Sequence, residues 1–132
     1  MRKPTIKTYR NKCDRLIQEI GREVYEKCLI CGQPVSCLHH YYPKSTCTAL
    51  RYDWDNLIPL CQGHHFSHHN GNPEIHNLVN KKKGDEWLER LTIKKHTKKV
   101  YDGITWYREM FEWLEEISKT PNKFEDIFQK AA

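Results

Sequence analysis

No stretch of the chain approaches the ~20 apolar residues that a membrane span needs. The basic opening segment, MRKPTIKTYRNK, lacks the apolar core of a secretory signal. A cytoplasmic location is therefore expected. Repeats and low-complexity segments are missing as well, and 132 residues fit one domain with a modest core. Without a secretory signal, the six cysteines do not read as a disulfide framework; a CxxC pair with a distant Cys/His pair reads better as a zinc site. Charge of one sign is not extreme either. The formal net charge is +5, with 38 % hydrophobic and 30 % charged residues. That balance suits a phosphate-rich partner, and equally a basic but inert surface.

What the chain does have is clustered histidine. Pro59 to His69, PLCQGHHFSHH, holds one cysteine and four histidines, and His39 and His40 form a second pair in SCLHHYYPK. Histidine is a poor core residue and a good metal ligand or general base. Around these clusters the apolar spacing gives a coarse organisation. Ile6, Tyr9, Cys13, Leu16, Ile17, Ile20 and Val24 mark one face of a helix over 5–26. CLICGQPVS reads as a tight turn with two thiols, residues 37–42 as a strand, and PKSTCTALRYDWD as a polar connector. NLIPLC reads as a second strand. QGHHFSHHN has helical spacing, with Gly71 as its stop. Residues 72–83 read as a basic connector. Asp85 is expected to cap a helix holding Trp87, Leu88 and Leu91, and the run KKHTKK to be a solvated helix end or a phosphate contact. A last helix shows Tyr107, Met110, Phe111, Leu114 and Ile117 on one face, as core or as a surface pairing two chains into a homodimer. Pro121 is expected to end that helix, and the tail from Asn122 to Ala132 to form a short amphipathic turn through Phe124, Ile127 and Phe128.

Cys28 and Cys31 form a CxxC pair, and Cys61 and His64 a CxxH pair. Two residues between ligands let a tight turn aim both at one tetrahedral ion. Four protein ligands close the site, so this zinc is expected to be structural and to staple a small domain. Cys13 lies on an apolar helical face and reads as core. Cys37 and Cys47 remain alternatives to His64.

The other histidines form a second constellation. His65 and His69, four apart, share one face of a helix and can reach one metal. His68 points about 100° away, toward solvent or DNA. His39 and His40 are neighbours in a strand and point to opposite sides, so one can bind metal while the other faces a different group. Phosphodiester hydrolysis needs such a division: a neutral imidazole to take a proton from water, and a divalent cation to stabilise charge on the phosphate and the leaving oxygen. Asn56, opening the second strand, could hold the base through its side-chain amide.

Together, LHHYYPK…DNLIPLCQGHHFSHH framed by CLIC resembles the HNH endonucleases with their ββα-metal fold. The run from Asn56 to His65 and the HxxxH of His65 and His69 are similar to the metal helix of colicin-type DNases. The resemblance implies His40 as general base, Asn56 as the residue positioning it, and His39, His65 and His69 as ligands of a catalytic divalent ion (Mg2+, Mn2+, Ni2+ or Zn2+). It implies an α+β fold over 1–132: the helix at 5–26, a zinc-stapled ββα-metal core at 28–71, and C-terminal helices at 85–119. Many family members carry Asp where His39 stands, and often a second CxxC where Cys61 and His64 stand. A neutral imidazole there should favour Zn, Ni, Co or Mn over Mg. A wider resemblance is to the phage NinG (Rap) recombination proteins, through RYDWDN and HHNGNPEIHNL followed by KKGDEWLERL. It implies branched recombination intermediates as substrate and, for a phage-encoded chain, a bacterial host cell.

DNA is expected to be held mainly through backbone phosphates, by Lys44 and Arg51 beside the hairpin loop and Lys81, Lys82 and Lys83 after the metal helix. Tyr41, Tyr42 and Trp54 could stack on unpaired bases, although core packing suits at least two of them. The competing expectation is a zinc-stapled DNA-binding module without catalysis.

Overall fold

Thr5 starts the first helix. Its Oγ1 accepts from the Thr8 N–H at 3.3 Å, while its own N–H donates to Thr8 Oγ1 at 3.2 Å, so two end donors are satisfied reciprocally. In the computed structural model, which describes residues 2–69, 71–97 and 103–119 apart from the side chains of 68 and 69, this helix, α1, spans Ile6–Val24. The tail at 121–132 lies outside the described residues. Cys13, Ile17 and Ile20 are buried along one α1 face. That face packs on the last helix, α5 (Ile104–Lys119), where Tyr107, Leu114 and Ile117 complete the cluster. The α5 stripe offered above for pairing two chains is thus covered by α1 of the same chain.

Between the flanking helices lies a two-stranded antiparallel hairpin, β1 (Cys37–His40) and β2 (Leu57–Leu60), paired Cys37 to Leu60 through His40 to Leu57. Every β2 residue is buried. Strand side chains alternate between faces: Leu57 joins the α1–α5 cluster, while Ile58 and Leu60 enter a second one. The second cluster is closed by α3 (Glu74–Lys83) through Ile75 and Val79, and by α4 (Asp85–Thr97) through Trp87 and Leu91. The hairpin therefore serves two cores, and α2 (Gln62–His69) leaves directly from β2.

Two expectations are corrected. Residues 72–83 contain helix α3, because Ile75 and Val79, four apart, share a face buried in the second core. The loop between the strands is not simply polar: it buries Cys47, Leu50, Tyr52, Asp53 and Trp54 and contains short 3-10 turns at Thr48–Leu50 and Trp54–Asn56. Asp85 begins α4 in its first turn, where a carboxylate suits the helix dipole. No helix among the described residues is long and apolar enough to cross a membrane.

The seam between α1 and β1 sets the position of the histidines. Gln18 grips the outer edge of β1, donating from Nε2 to the Leu38 carbonyl at 2.9 Å and accepting the Leu38 N–H at 2.8 Å. Leu38 faces Pro59 across the ladder, so its own polar groups point away from β2 toward Gln18. Close approach requires Gly21. A β-carbon there would overlap Leu38 Cδ1 and lie 2.5 Å from Leu38 Cγ. Alanine normally favours a helix over glycine by about 1 kcal/mol. Gly21→Ala is nevertheless expected to lower stability by about 1–3 kcal/mol through overpacking. Urea unfolding checks this. Combined with Leu38→Ala, the two losses should total less than their sum; simple additivity would mean that the two side chains do not compete for space.

Candidate metal centre and histidine cleft

The cysteine turn is shaped by its backbone. The Cys28 N–H donates to the Gln33 carbonyl at 2.7 Å, and the Gly32 N–H to the Cys28 carbonyl at 3.0 Å. Gly32 has φ +75°, a conformation that glycine adopts without steric cost. Leu29 and Ser36 donate to the carbonyls of Pro59 and Leu60, each at 2.9 Å, so the turn is laced to β2. Cys61 follows that strand and accepts the His64 N–H on its sulfur at 3.5 Å, capping the start of α2.

These contacts bring the ligand atoms of Cys28, Cys31, Cys61 and His64 within 4.8 Å of one another. Cys31 Sγ lies 3.7 Å from Cys61 Sγ, and His64 Nδ1 lies 3.6 Å from Cys28 Sγ and 3.2 Å from Cys61 Sγ. A tetrahedral zinc with Zn–S ~2.3 Å and Zn–N ~2.0 Å places its ligands about 3.5–3.8 Å apart. The cluster fits that ion. Burial would raise the Cys28 thiol, but backbone amides of Cys31, Cys61 and Ile30, with the His64 ring, outweigh it and bring it down to about 6. Neither Cys37 nor Cys47 belongs to the cluster. Cys13 and Cys47 are buried in the cores, and burial pushes the Cys37 thiol up to about 11.

On the other side of the hairpin end, His39, His40 and His65 line a cleft of about 600 Å³ together with Gln18, Arg22 and Lys44. The His39 ring lies 6.1 Å from His65 and 5.8 Å from His76. His76 stacks on Tyr41 at 4.5 Å. His76 stands alone in a segment whose composition suggests a connector; the Ile75/Val79 spacing is the signal in the sequence that places it on a helix. The side chains of His68 and His69 lie outside the described residues. Among those that are described, the ligand group close enough to hold one ion is the Cys/His set alone.

His40 is fixed differently from His39. Its Nε2 lies 2.9 Å from the Arg51 carbonyl. A carbonyl only accepts, so Nε2 carries the proton and donates, leaving Nδ1 with its lone pair when the ring is neutral. Burial is the main cause holding the ring below the usual imidazole range; the nearby positive charges of Lys44 and Arg51 add to it, and the Arg51 carbonyl opposes it. The neutral form therefore dominates at pH 7.

Asn56 is fully buried. Its Nδ2 donates to the carbonyls of Tyr42 and Leu50 at 3.0 and 3.1 Å, and its Oδ1 accepts the Tyr42 N–H at 2.8 Å. The amide thus ties the neck of the inter-strand loop, and it is the loop's Arg51 carbonyl that meets the His40 ring.

Arg51, expected on a phosphate, instead commits its guanidinium to Asp14 of α1 through bonds of 2.9 and 2.6 Å. Tyr52 donates to the same carboxylate at 3.0 Å. Burial of Asp14 raises its carboxyl, but the Arg51 bonds and charge with the Tyr52 hydroxyl outweigh it and hold the group below 3.8. Its stabilisation is therefore complete above that value and is lost as pH falls through the lower folded-state value. Asp14→Asn is expected to cost about 1–3 kcal/mol and to flatten the acid limb of the stability curve. An unchanged urea midpoint at pH 7 would contradict this.

The other cations divide. Lys44, Lys81 and Lys82 are exposed. Lys83 is half-buried with its ammonium 5.9 Å above the Trp87 ring. Lys94 pairs with Asp55 at 2.7 Å and Asp53 at 3.3 Å, and Lys95 lies 4.4 Å over Tyr42. Tyr41 and Trp54 are buried, and the Tyr42 hydroxyl lies 3.0 Å from Thr92 Oγ1, so all three aromatics serve packing. Comparison with protein-family models, curated proteins and solved structures returned no match.

Proposed function

We propose that this chain is a metal-dependent DNA endonuclease of the HNH, ββα-metal kind, with the Cys28/Cys31/Cys61/His64 zinc as its structural staple. The observation that carries the reading is the His40–Arg51 contact of 2.9 Å, which orients the imidazole and leaves its Nδ1 as the acceptor at a cleft shared with His39 and His65. In this reading Nδ1 of His40 takes a proton from the attacking water. The Arg51 carbonyl then stabilises the imidazolium through the Nε2–H it already accepts. Asn56 keeps that carbonyl in place by tying the loop. His39, His65 and His69 would hold the divalent ion, which when bound supplies charge stabilisation at the phosphate and the leaving oxygen. Lys44, Lys81 and Lys82 offer phosphate contacts without base reading. Branched recombination intermediates are the substrate suggested by the wider resemblance.

The test is cleavage of labelled linear, nicked and four-way-junction DNA after exchangeable metal is removed, with Mg, Mn, Ni and Zn returned singly. Metal-dependent cutting is expected, with one tightly held zinc and one exchangeable ion per chain. DNA binding without cutting under any metal would overturn the enzyme and favour the non-catalytic zinc-stapled module.

A further inference from the structure

The α1 wall of the cleft has no local signature in the sequence. Gln18 and Gly21 press α1 against β1, and the residue after Gly21 is Arg22. Its side chain lines the histidine cleft, with Lys44 also in the lining. Arg22 comes from α1 and Lys44 from the loop after β1, so two separate elements each contribute one cation. Both are exposed, and neither makes an ion pair among the described residues. Among the described residues, no carboxylate lines this cleft. The neighbouring acid, Asp14, influences Lys44 electrostatically but is bonded to Arg51 and Tyr52. Two cations without an ion pair among the described residues therefore share the lining of this cleft with His39, His40 and His65.

We propose that Arg22 and Lys44 form a two-cation seat for successive backbone phosphates of a nucleic-acid strand, with the scissile phosphate between them at His39 and His40. This deepens the nuclease reading and rests on it for the position of the reacting group. Arg22 supplies a planar, bidentate fork suited to phosphate oxygens, and Lys44 a mobile point charge. The last-turn position of Arg22 alone would suit the helix dipole, but does not account for its place in the lining of the histidine cleft.

The test compares full-length wild type, Arg22→Gln and Arg15→Gln for binding of a labelled DNA duplex over a salt series, with exchangeable metal dialysed out to keep strands intact. Arg15 is exposed on the same helix and pairs with Glu19, so its variant controls for total charge. Arg22→Gln is expected to weaken binding about tenfold and to reduce the slope of log affinity against log salt by about one. Arg15→Gln should change affinity by less than about twofold. Equal behaviour of the two variants overturns the seat. Cleavage with added metal separates this from the parent reading. A wild type that binds through Arg22 yet never cuts keeps the seat and removes the catalysis. Normal cutting and binding by Arg22→Gln keeps the enzyme and removes the seat. A wild type that does not bind DNA overturns both.

Discussion

Cys28→Ala is expected to cost the domain its cooperative fold and its capacity to hold zinc at the Cys28/Cys31/Cys61/His64 cluster. Cys28 is buried, and its backbone closes the turn through Gln33 and Gly32, so both its sulfur and its main chain belong to the knuckle. Structural zinc binding is worth about 10–16 kcal/mol in zinc-finger peptides. That is as large as the ~5–15 kcal/mol of net stability typical of a whole domain. Loss of a ligand should therefore abolish the thermal transition rather than shift it. Cys37→Ser is the matched control, because Cys37 lies outside the cluster; it should keep its zinc. Zinc content by metal analysis, with circular dichroism during heating, reads both. A folded, active Cys28→Ala protein would sink the zinc knuckle.

If the proposed nuclease reading holds, His40→Ala should act in the opposite way, removing cleavage and sparing the fold. General-base catalysis contributes about 10²–10⁴-fold, and that is the expected fall in rate. The His40 ring is only half-buried and makes its side-chain bond to one carbonyl; the cores do not depend on it. Zinc content and melting temperature should stay near wild type. Unfolding or zinc loss in this variant would make His40 a structural residue.

The parts of the site legible in the sequence are those built from near neighbours along the chain. Cys28 with Cys31, and Cys61 with His64, are paired by turn geometry, and their two pairs meet because the intervening hairpin returns the chain to its start. The α1 and α5 stripes were legible because 3.6-residue periodicity survives in any context. Helix α3 was hidden because two apolar residues, Ile75 and Val79, carry its whole buried face among polar neighbours. Leu50, Tyr52 and Trp54 sit in a segment with no period, and only the two cores around the hairpin reveal why they are inside. Asp14, Gln18 and Arg22 were invisible as site residues for a different reason. Their roles depend on α1 crossing β1 at Gly21, a long-range contact with no local signature. The same crossing brings Asp14 to Arg51, a pairing that no spacing rule anticipates.

The pairing of α1 with α5 also orders events in time. Cys13 Sγ lies 3.7 Å from the Tyr107 carbonyl, 94 residues away along the chain. On a ribosome, the first helix to emerge waits for the last before its apolar face is fully covered. Among the described residues, the second core draws on those from Cys28 to Leu91, so the knuckle and hairpin can assemble while synthesis continues. A chain ending before Ile104 would keep the N-terminal helix seated on β1 but leave the part of its apolar face that meets Tyr107, Leu114 and Ile117 uncovered, the condition in which chaperones find their clients.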